Sequence, residues 1–318
     1  MKSLHISVIT VCFNAADFIE QTIQSVLSQS YPLVEYIIID GGSTDGTPDI
    51  IRRYESRLAY WHSRPDRGVA HAFNLGLAQA QGDWLLYLNA DDLLLEPTVI
   101  ESMAAHLAQH QDADVVFGQM VSLTREKHPQ PVPLCKIGGH PWRWQEFRRM
   151  NMIPHQAAFT HRRFFDRVGG FDETYRMAMD YDHFLRAGEN LRAQFVPLTL
   201  VGMRAGGVCV KNIADTLAEF RRAQIKNRAL PRWIAEVNFR LRLGRLYAGK
   251  MAHLVLDPLA PDVIRGRGQG PVGVFFVRLK EKFACHFGGF LKMVPLVHFV
   301  VDLEPVFFGG AFKNLPNP

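Results

Sequence analysis

The chain has 318 residues, of which 47% are hydrophobic and 21% are charged, and its net charge is +5. These values suit one large α/β domain with an appendage, or two modest domains. The charge is compatible with anionic partners, but no recognised nucleic-acid-binding motif accompanies it, so nucleic acid is not expected as a partner. The four cysteines are widely spaced, which argues against a zinc site or a disulfide framework and favours a cytoplasmic protein with reduced thiols.

Residues 1–120 alternate between apolar runs and amphipathic stretches. Strands are predicted at ISVITVCF, VEYIIID, LAYWHS, DWLLYLNADD and DVVFGQM. Helices are predicted between them, at DFIEQTIQSVLSQS, from a capping Thr47, at GVAHAFNLGLAQA and at PTVIESMAAHLAQH. This alternation indicates a parallel sheet covered on both faces. Ligands of such sheets bind where the carboxyl ends of strands meet a crevice, so acidic residues at strand ends are candidates for a site.

The pattern is weaker after the fifth strand. Residues 122–149 are rich in Pro, Gly, Trp and Arg without a clear period, which is compatible with a mobile loop or with a hairpin over the crevice. A helix is predicted around DYDHFLRAGE and a further strand at QFVPLTLVG. After Lys211 the sequence is helical and basic and ends in a Phe-rich tail, and no apolar stretch is long and uninterrupted enough to span a membrane.

Three pairs of aspartates are candidates for chemistry, namely Asp40 with Asp45, Asp91 with Asp92, and Asp180 with Asp182. An aspartate after a strand is often only a turn former or a helix cap, and Asp45 in STDGT is interpreted in that way. The strand-end motif LNADD offers what Mg²⁺ typically takes, one or two carboxylates beside the phosphates of a substrate. A carboxylate elsewhere could then serve as a base.

Three blocks of sequence follow one another in a fixed order between about Ile6 and Gly188. They are SVITVCFNAADFIEQTIQSVLSQSYPLVEYIIIDGGSTDGT, RPDRGVAHAFNLGLAQAQGDWLLYLNADD and HQAAFTHRRFFDRVGGFDETYRMAMDYDHFLR. In order and spacing they resemble the inverting glycosyltransferases of family 2, which have the GT-A fold. The resemblance implies an α/β, Rossmann-like GT-A domain at residues 1–210, with a mostly parallel central sheet flanked by helices. Residues 211–318 would form a basic, helical C-terminal extension.

The resemblance also implies a role for individual residues of the donor site. Binding of the nucleotide is implied for Thr10, Val11, Phe13, Asn14, Asp40, Arg67 and Asn89. Among these, Asp40 would contact the base, typically the imide edge of uracil, and Arg67 would reach toward the diphosphate. Asp91 would ligate Mn²⁺ or Mg²⁺ between the two phosphates. Contact with the donor or acceptor sugar is implied for Asp92, His155 and Gln156.

Asp180 matches the aspartate that acts as general base on the acceptor hydroxyl in the family. Two residues depart from the family pattern, because Asn89 replaces the first aspartate of its DxD motif and Met179 replaces a glutamate before the base. These departures keep open an alternative, a catalytically impaired scaffold that binds nucleotide sugars or glycans. Asp182 follows two residues after Asp180, so on a helix the two carboxylates are expected to diverge.

The expected function is transfer of a sugar, with inversion, from a nucleotide-diphosphate sugar (a UDP-sugar is favoured) to a hydroxyl of a glycan or lipid-linked acceptor. Cell-envelope polysaccharide biosynthesis is the expected setting. In the C-terminal tail, Phe275, Phe276 and Phe283 alternate with basic residues. This pattern is typical of an amphipathic helix packed on its own domain, or of peripheral contact with the inner face of the cytoplasmic membrane.

Overall fold

The structure is a computed structural model, and it describes residues 4–124, 126, 131–137, 141–205 and 212–256. The phenylalanines of the C-terminal tail lie outside the described residues. Contacts between residues place a division of the chain between Phe239 and Arg240. The predicted boundary after residue 210 stays a prediction. Among the described residues, no helix is both long enough and apolar enough to cross a membrane.

Strands and helices alternate through most of the described chain. The strands are β1 (Ile6–Cys12), β2 (Val34–Asp40), β3 (Tyr60–Ser63), β4 (Trp84–Tyr87), β5 (Leu93–Leu94), β6 (Val115–Leu123), β7 (Pro131–Ile137), β8 (Ala158–His161) and β9 (Ala193–Arg204). The helices are α1 (Ile19–Leu27), α2 (Thr47–Arg52), α3 (Val69–Gln79), α4 (Val99–Gln109), α5 (Trp144–Phe147), α6 (Arg162–Val168), α7 (Met179–Leu185), α8 (Ile213–Lys226) and α9 (Arg232–Leu256). Short 3-10 turns precede β3, β8 and β9.

The described strands form one mixed sheet in the order β3-β2-β1-β4-β8-β6-β9-β5, and β7 pairs with β6. Strands β1 to β4 pair in parallel, and so do β6 and β9. Because β8 is antiparallel to both β4 and β6, these two strands also share one direction. The prediction of a mostly parallel sheet flanked by helices is therefore confirmed. The sequence did not indicate β8, since four residues are too few to show a period.

Two apolar layers cover the sheet. Strand β1 contributes side chains to both layers, because successive side chains of a strand point to opposite faces. Ile6 and Val8 belong to the layer that contains the buried faces of α1 and α4. Ile9 and Val11 belong to the layer under α3, α6 and α7. Buried apolar side chains on both faces explain why β1 and β2 appear in the sequence as continuous apolar runs.

The ends of several elements differ from the sequence prediction. The fourth strand stops at Tyr87 rather than running through Asp92, so the LNADD motif is a loop. Part of residues 122–149 forms a hairpin, because β7 pairs antiparallel with β6. The predicted cap at Thr47 is wrong, because α2 begins at Thr47 itself after a left-handed Gly46. The hydroxyl of Thr47 bonds other loop residues instead.

Candidate functional site

The carboxyl ends of β1, β2 and β3 meet at one edge of the sheet. Cys12 and Ser63, the last residues of β1 and β3, both pair with Asp40, the last residue of β2. The loops that follow these strands therefore lie side by side, as expected for a crevice at the carboxyl edge. The loop after β4 leaves from the same edge, because β4 is parallel to β1.

Asp40 is fully buried at this edge and is surrounded by donors. Its Oδ1 accepts from the hydroxyl of Ser43 at 2.5 Å and from the thiol of Cys12 at 3.4 Å. Its Oδ2 accepts from the amide of Ser43 at 2.9 Å and from the hydroxyl of Ser63 at 2.5 Å. A carboxylate has about four lone-pair positions, so a nucleotide base can reach Asp40 only by replacing one of these donors. The thiol contact is the longest of the four.

The thiol of Cys12 is suited to that exchange because it stays a neutral donor. Burial, and then the negative charge of Asp40, raise the pKa of Cys12 well above its usual value. A thiol is a weak donor, so replacing its contact with an N–H donor of a ligand costs little. The base can therefore make the predicted contact with Asp40 when one of its N–H donors replaces the Cys12 thiol.

Asp45 supports the loops instead of facing a ligand, as the sequence indicated. Its Oδ2 accepts from the amide of Ala16 at 3.0 Å, and its Oδ1 accepts from the hydroxyl and amide of Thr47 at 2.6 and 3.1 Å. Burial alone would raise the pKa of Asp45, but the bonds from Thr47 and Ala16 outweigh it and lower the pKa. The amide of Ala15 donates to the Thr47 hydroxyl at 2.9 Å, so the loops after β1 and β2 are fastened together.

The residues predicted from the first strand divide into a buried and an exposed pair. Thr10 and Val11 are buried, and the hydroxyl of Thr10 accepts from Tyr36 at 3.0 Å inside the core. The structure does not bring the Thr10 side chain to the crevice, so its direct contact with a nucleotide has no support here. Phe13 is 65% exposed, and Asn14 is exposed with a left-handed φ of 49°. These two residues line the open edge.

Arg67 lies on the loop before α3 and forms an ion pair with Glu173. Its Nη2 and Nε lie 2.7 and 3.0 Å from Oε2 of Glu173, and its side chain is 67% exposed. The neighbouring Asp66 accepts from the amide of Gly68 at 2.7 Å, at the start of α3. A Cβ added at Gly41 would lie 2.6 Å from Oδ2 of Asp66, so a larger residue at this position would displace the Asp66 carboxylate.

The loop after β4 carries the second acidic pair. Asp92 is 1% exposed; its Oδ1 accepts from the amide of Arg204 at 3.3 Å, while its Oδ2 has no hydrogen-bond partner. Burial, and then the negative charge of Asp91, raise the pKa of Asp92 to about 8, although the amide of Arg204 and the side chains of Gln156 and Asn89 act in the opposite direction. Asp91 is half-buried beside it.

The donor set of this loop fits a hard divalent cation. Among the described residues, no group of three or more His, Cys, Asp or Glu side chains could hold a metal ion. Asp91 and Asp92 nevertheless supply two carboxyl groups, and a cation bound at the buried Oδ2 of Asp92, which lacks a partner, would lower the raised pKa of that group. Mg²⁺ typically binds through one or two carboxylates together with substrate phosphates, so the remaining ligands would come from a diphosphate and water.

Asp180 lies in the first turn of α7 and is 6% exposed. Its Oδ1 accepts from the amide of Tyr181 at 2.7 Å. Its Oδ2 accepts from Nδ2 of Asn151 at 3.0 Å and lies 3.3 Å from Nδ1 of His155. These three donors leave one lone-pair position of the carboxylate for a further hydroxyl.

Asp182 diverges from Asp180, as expected for residues two apart on a helix. Its carboxylate is fully buried and bonds Nη2 of Arg186 at 2.7 Å and Nζ of Lys226 at 3.0 Å. Asn227 adds a bond at 2.9 Å. Burial alone would raise the pKa of Asp182, but the bonds from Arg186 and its neighbours lower it. Asp182 thus joins α7 to α8 and is not available to a substrate.

The 3-10 turn His155–Ala157 connects the two acidic parts of the site. His155 contacts Asp180, and the side chain of the next residue, Gln156, acts on the pKa of Asp92. Nε2 of His155 is buried without a partner, so the proton belongs on Nδ1, which then donates to Asp180. Asp92 and Asp180, nearly ninety positions apart in sequence, therefore both lie beside this turn.

Two further residues shape the site and were not found from the sequence. The side chain of Glu219 on α8 accepts from the amides of Arg176, Met177 and Ala178, which cap the start of α7. Arg204 at the end of β9 is 1% exposed and contacts the Asp91–Asp92 loop. The only signal for Arg204 is a charged residue at the end of an apolar strand, which alone does not indicate a site.

Comparison with known proteins identifies the class of this chain. The profile described as Glycosyl transferase family 2 matches residues 7–166. An uncharacterized glycosyltransferase of Mycobacterium tuberculosis is 33% identical over 187 residues, which cover 57% of this chain and 68% of that protein. A putative teichuronic acid biosynthesis glycosyltransferase of Bacillus subtilis, TuaG, is 46% identical over 90 residues, 27% of this chain and 36% of that protein.

Solved structures with the same fold include two glycosyltransferases. Mannosyltransferase PcManGT from Pyrobaculum calidifontis, in complex with GDP-Man and Mn²⁺, superposes with a TM-score of 0.59 at 20% identity, over 96% of this chain and 85% of that chain. S. aureus TarS 1–349, in complex with UDP-GlcNAc, superposes with a TM-score of 0.56 at 18% identity, over 77% of this chain and 73% of that chain. At these identities the likeness establishes the GT-A fold.

The family profile and the fold thus define a glycosyltransferase of the GT-A type. The chain belongs to glycosyl transferase family 2, whose profile covers half of its length. The resemblance described from the sequence is confirmed.

Proposed function

We propose that the chain transfers one sugar, with inversion, from a nucleotide-diphosphate sugar to a hydroxyl of a glycan or lipid-linked acceptor. The observation that carries the proposal is the turn of His155 and Gln156, because His155 lies 3.3 Å from Asp180 and the side chain of Gln156 acts on the pKa of Asp92. Through this pair, the candidate base lies across one short turn from the loop that fits a cation. An in-line displacement requires this arrangement, with the base on the side of the acceptor and the cation on the side of the departing diphosphate.

The donor would lie along the carboxyl edge of the sheet. The base of the nucleotide would occupy the space beside Phe13 and Asn14 and displace the Cys12 thiol from Asp40. Asn89 would accept a hydrogen bond from the ribose. Asp91 would ligate Mn²⁺ or Mg²⁺, with Asp92 at the sugar or at water around the ion. Such an ion supplies charge neutralisation to the departing diphosphate, so no protein acid is needed there.

The transfer step forms one bond and breaks one. Asp180 accepts the proton of the acceptor hydroxyl through its remaining lone pair, and the oxygen attacks the anomeric carbon from the face opposite the nucleotide. The bond from that carbon to the diphosphate breaks, and its electron pair leaves with the nucleotide. Proton transfer to a positioned carboxylate contributes roughly 10²–10⁴-fold to such a rate. His155 and Asn151 hold the carboxylate in place.

A UDP-sugar is the favoured donor, and the acceptor is a growing cell-envelope polysaccharide or its lipid-linked precursor. The name of the TuaG relative places that protein in teichuronic acid biosynthesis, and the TarS structure contains UDP-GlcNAc. The mannosyltransferase with GDP-Man and Mn²⁺ is a reason to test guanine nucleotides as well. Acceptor selection is assigned to residues 122–149 and to the C-terminal helices.

Peripheral contact with the inner face of the cytoplasmic membrane is part of the proposal. At the start of α9, two bulky apolar side chains lie four residues apart on one face and are exposed, by 70% at Trp233 and 47% at Val237. Bulky apolar and basic side chains together favour an anionic lipid surface. Co-sedimentation with anionic vesicles should fall when Trp233 and Val237 are replaced by serine, and equal sedimentation would contradict the contact.

The proposal is tested with a panel of UDP- and GDP-sugars, Mn²⁺ or Mg²⁺, and crude glycan acceptors. Release of nucleoside diphosphate should occur with one donor, and NMR of the product should show the anomeric configuration inverted. Nucleotide binding without release from any donor would favour the catalytically impaired scaffold. Release with retained configuration would contradict the role of Asp180 as base.

A further inference from the structure

The last residue of β9, Arg204, reaches back into the loop after β4. Its Nη1 donates to the carbonyl oxygen of Asp91 at 2.6 Å, and its own amide donates to Oδ1 of Asp92 at 3.3 Å. Its Nη2 donates to Oε1 of Gln21, and its guanidinium lies 4.9 Å from the centre of the Phe18 ring. One side chain thus joins the end of β9, the acidic loop and the start of α1.

Complete burial of an arginine is unusual, because its charge must be taken out of water and its five donors must be satisfied. Arg204 is 1% exposed and stays charged at any pH the protein experiences. Two of its nitrogens are directed at defined acceptors on the loop and on Gln21, and its flat face rests on Phe18. This planar fork and stacked face are features that a lysine cannot reproduce.

A second side chain fixes the same loop from α1. The hydroxyl of Thr22, which is fully buried, lies 2.8 Å from the carbonyl oxygens of both Ala90 and Asp92. Together with the bond from Arg204 to Asp91, three successive carbonyl groups lie within hydrogen-bond distance of two buried side-chain donors, and the carbonyls of Ala90 and Asp92 share the single Thr22 proton. An irregular loop whose carbonyl groups face buried donors has few alternative conformations.

We propose that Arg204 is a positioning residue for the divalent cation. Arg204 fixes the backbone under Asp91 and the carboxyl group of Asp92, so that the oxygens of both side chains face the diphosphate. The inference rests on the proposed function in taking Asp91 as a metal ligand. Arg204 touches neither substrate nor cation and acts through the two aspartates.

Direct measurement of Mn²⁺ binding tests this role without reference to turnover. Mn²⁺ is titrated into the full chain with saturating UDP or GDP, and the free ion is followed by electron paramagnetic resonance. For Arg204→Lys the affinity for Mn²⁺ should fall by roughly 10–100-fold, the usual loss when a residue that orients metal ligands is changed. The affinity for nucleotide in the absence of metal should be unchanged.

Arg162 offers a matched control at the other end of β4. Its guanidinium also donates to two backbone carbonyls, of Gly82 at 2.9 Å and of Ala80, but these precede β4 at the amino edge of the sheet. Arg162→Lys should lower the melting temperature and leave Mn²⁺ affinity unchanged. If Arg204→Lys does not fold, Gln21→Met removes the acceptor of Nη2 and should still weaken Mn²⁺ binding several-fold.

The outcomes separate this inference from the proposed function. Mn²⁺ affinity equal to that of the native chain in Arg204→Lys, or in Gln21→Met when only that variant folds, overturns the role of Arg204 alone. A native chain that binds nucleotide but no Mn²⁺ overturns the assignment of Asp91 and this inference with it. A loss of Mn²⁺ affinity in Arg162→Lys as large as in Arg204→Lys would show a general effect of stability and would also overturn the inference.

Discussion

Replacement of Asp180 by asparagine should abolish transfer while leaving the fold nearly intact. The carboxylate accepts from the amide of Tyr181, from Asn151 and from His155. An asparagine whose oxygen faces Asn151 and His155 keeps two of these bonds and leaves the amide of Tyr181 unpaired. One unpaired buried donor costs about 1–3 kcal/mol. The amide cannot accept the acceptor proton, so the rate of transfer should fall by roughly 10²–10⁴-fold.

Asp182→Asn is the matched control, two residues further along the same helix. Asp182 is fully buried against Arg186 and Lys226, and removing one partner from a buried ion pair costs roughly 3–5 kcal/mol. This variant should therefore lose thermal stability, whereas Asp180→Asn should lose rate. The assays are nucleotide release at saturating donor, calorimetric donor binding and thermal unfolding. An Asp180→Asn chain that transfers at the native rate would refute the assignment of the base.

Three further expectations follow from particular contacts. Burial lowers the pKa of His183 to about 3, below 6.5 in the unfolded chain, so the unfolded state binds a proton first. The free energy of unfolding should therefore fall as pH drops from 6.5 toward 3, by about 2 kcal/mol at pH 5. Urea unfolding at pH 7 and at pH 5 measures this fall. A His183→Gln chain with the same pH dependence would contradict the expectation. Gly76→Ala would place a Cβ 2.4 Å from Cγ2 of Ile9 and should destabilise by about 1–3 kcal/mol, so an unchanged melting temperature would be inconsistent with the packing. Arg67→Ala removes an exposed pair with Glu173 worth at most about 1 kcal/mol, so only calorimetric nucleotide affinity should fall, and full affinity would disprove its contact with the diphosphate.

Much of the sheet could be predicted because β1, β2 and β4 are buried on both faces. Such strands form continuous apolar runs, and the residue that ends the run is then placed at the carboxyl edge. Asp40 was located in this way, and so was the Asp91–Asp92 loop. Residues 158–161 gave no such signal, so the insertion of β8 between β4 and β6 was missed.

The environment of each acidic residue could not be predicted, because it depends on partners distant in sequence. Asp40 accepts from Cys12 and Ser63, and Asp92 is covered by the end of β9. The local sequence pattern identifies an acidic residue at the end of a strand, but it does not show how many hydrogen-bond donors surround the carboxylate. The contacts of Arg204 have the same origin, since they join residues 112 or more positions apart.

The position of a bound Mn²⁺ tests the central claim most directly, since that claim is a nucleotide-diphosphate site built on Asp91. Crystals grown with Mn²⁺ and UDP or GDP allow the ion to be located by its anomalous scattering. We expect a peak between the carboxylate of Asp91 and the two phosphates, with the base beside Asp40. A nucleotide bound with the ion absent or distant from Asp91 would contradict the account.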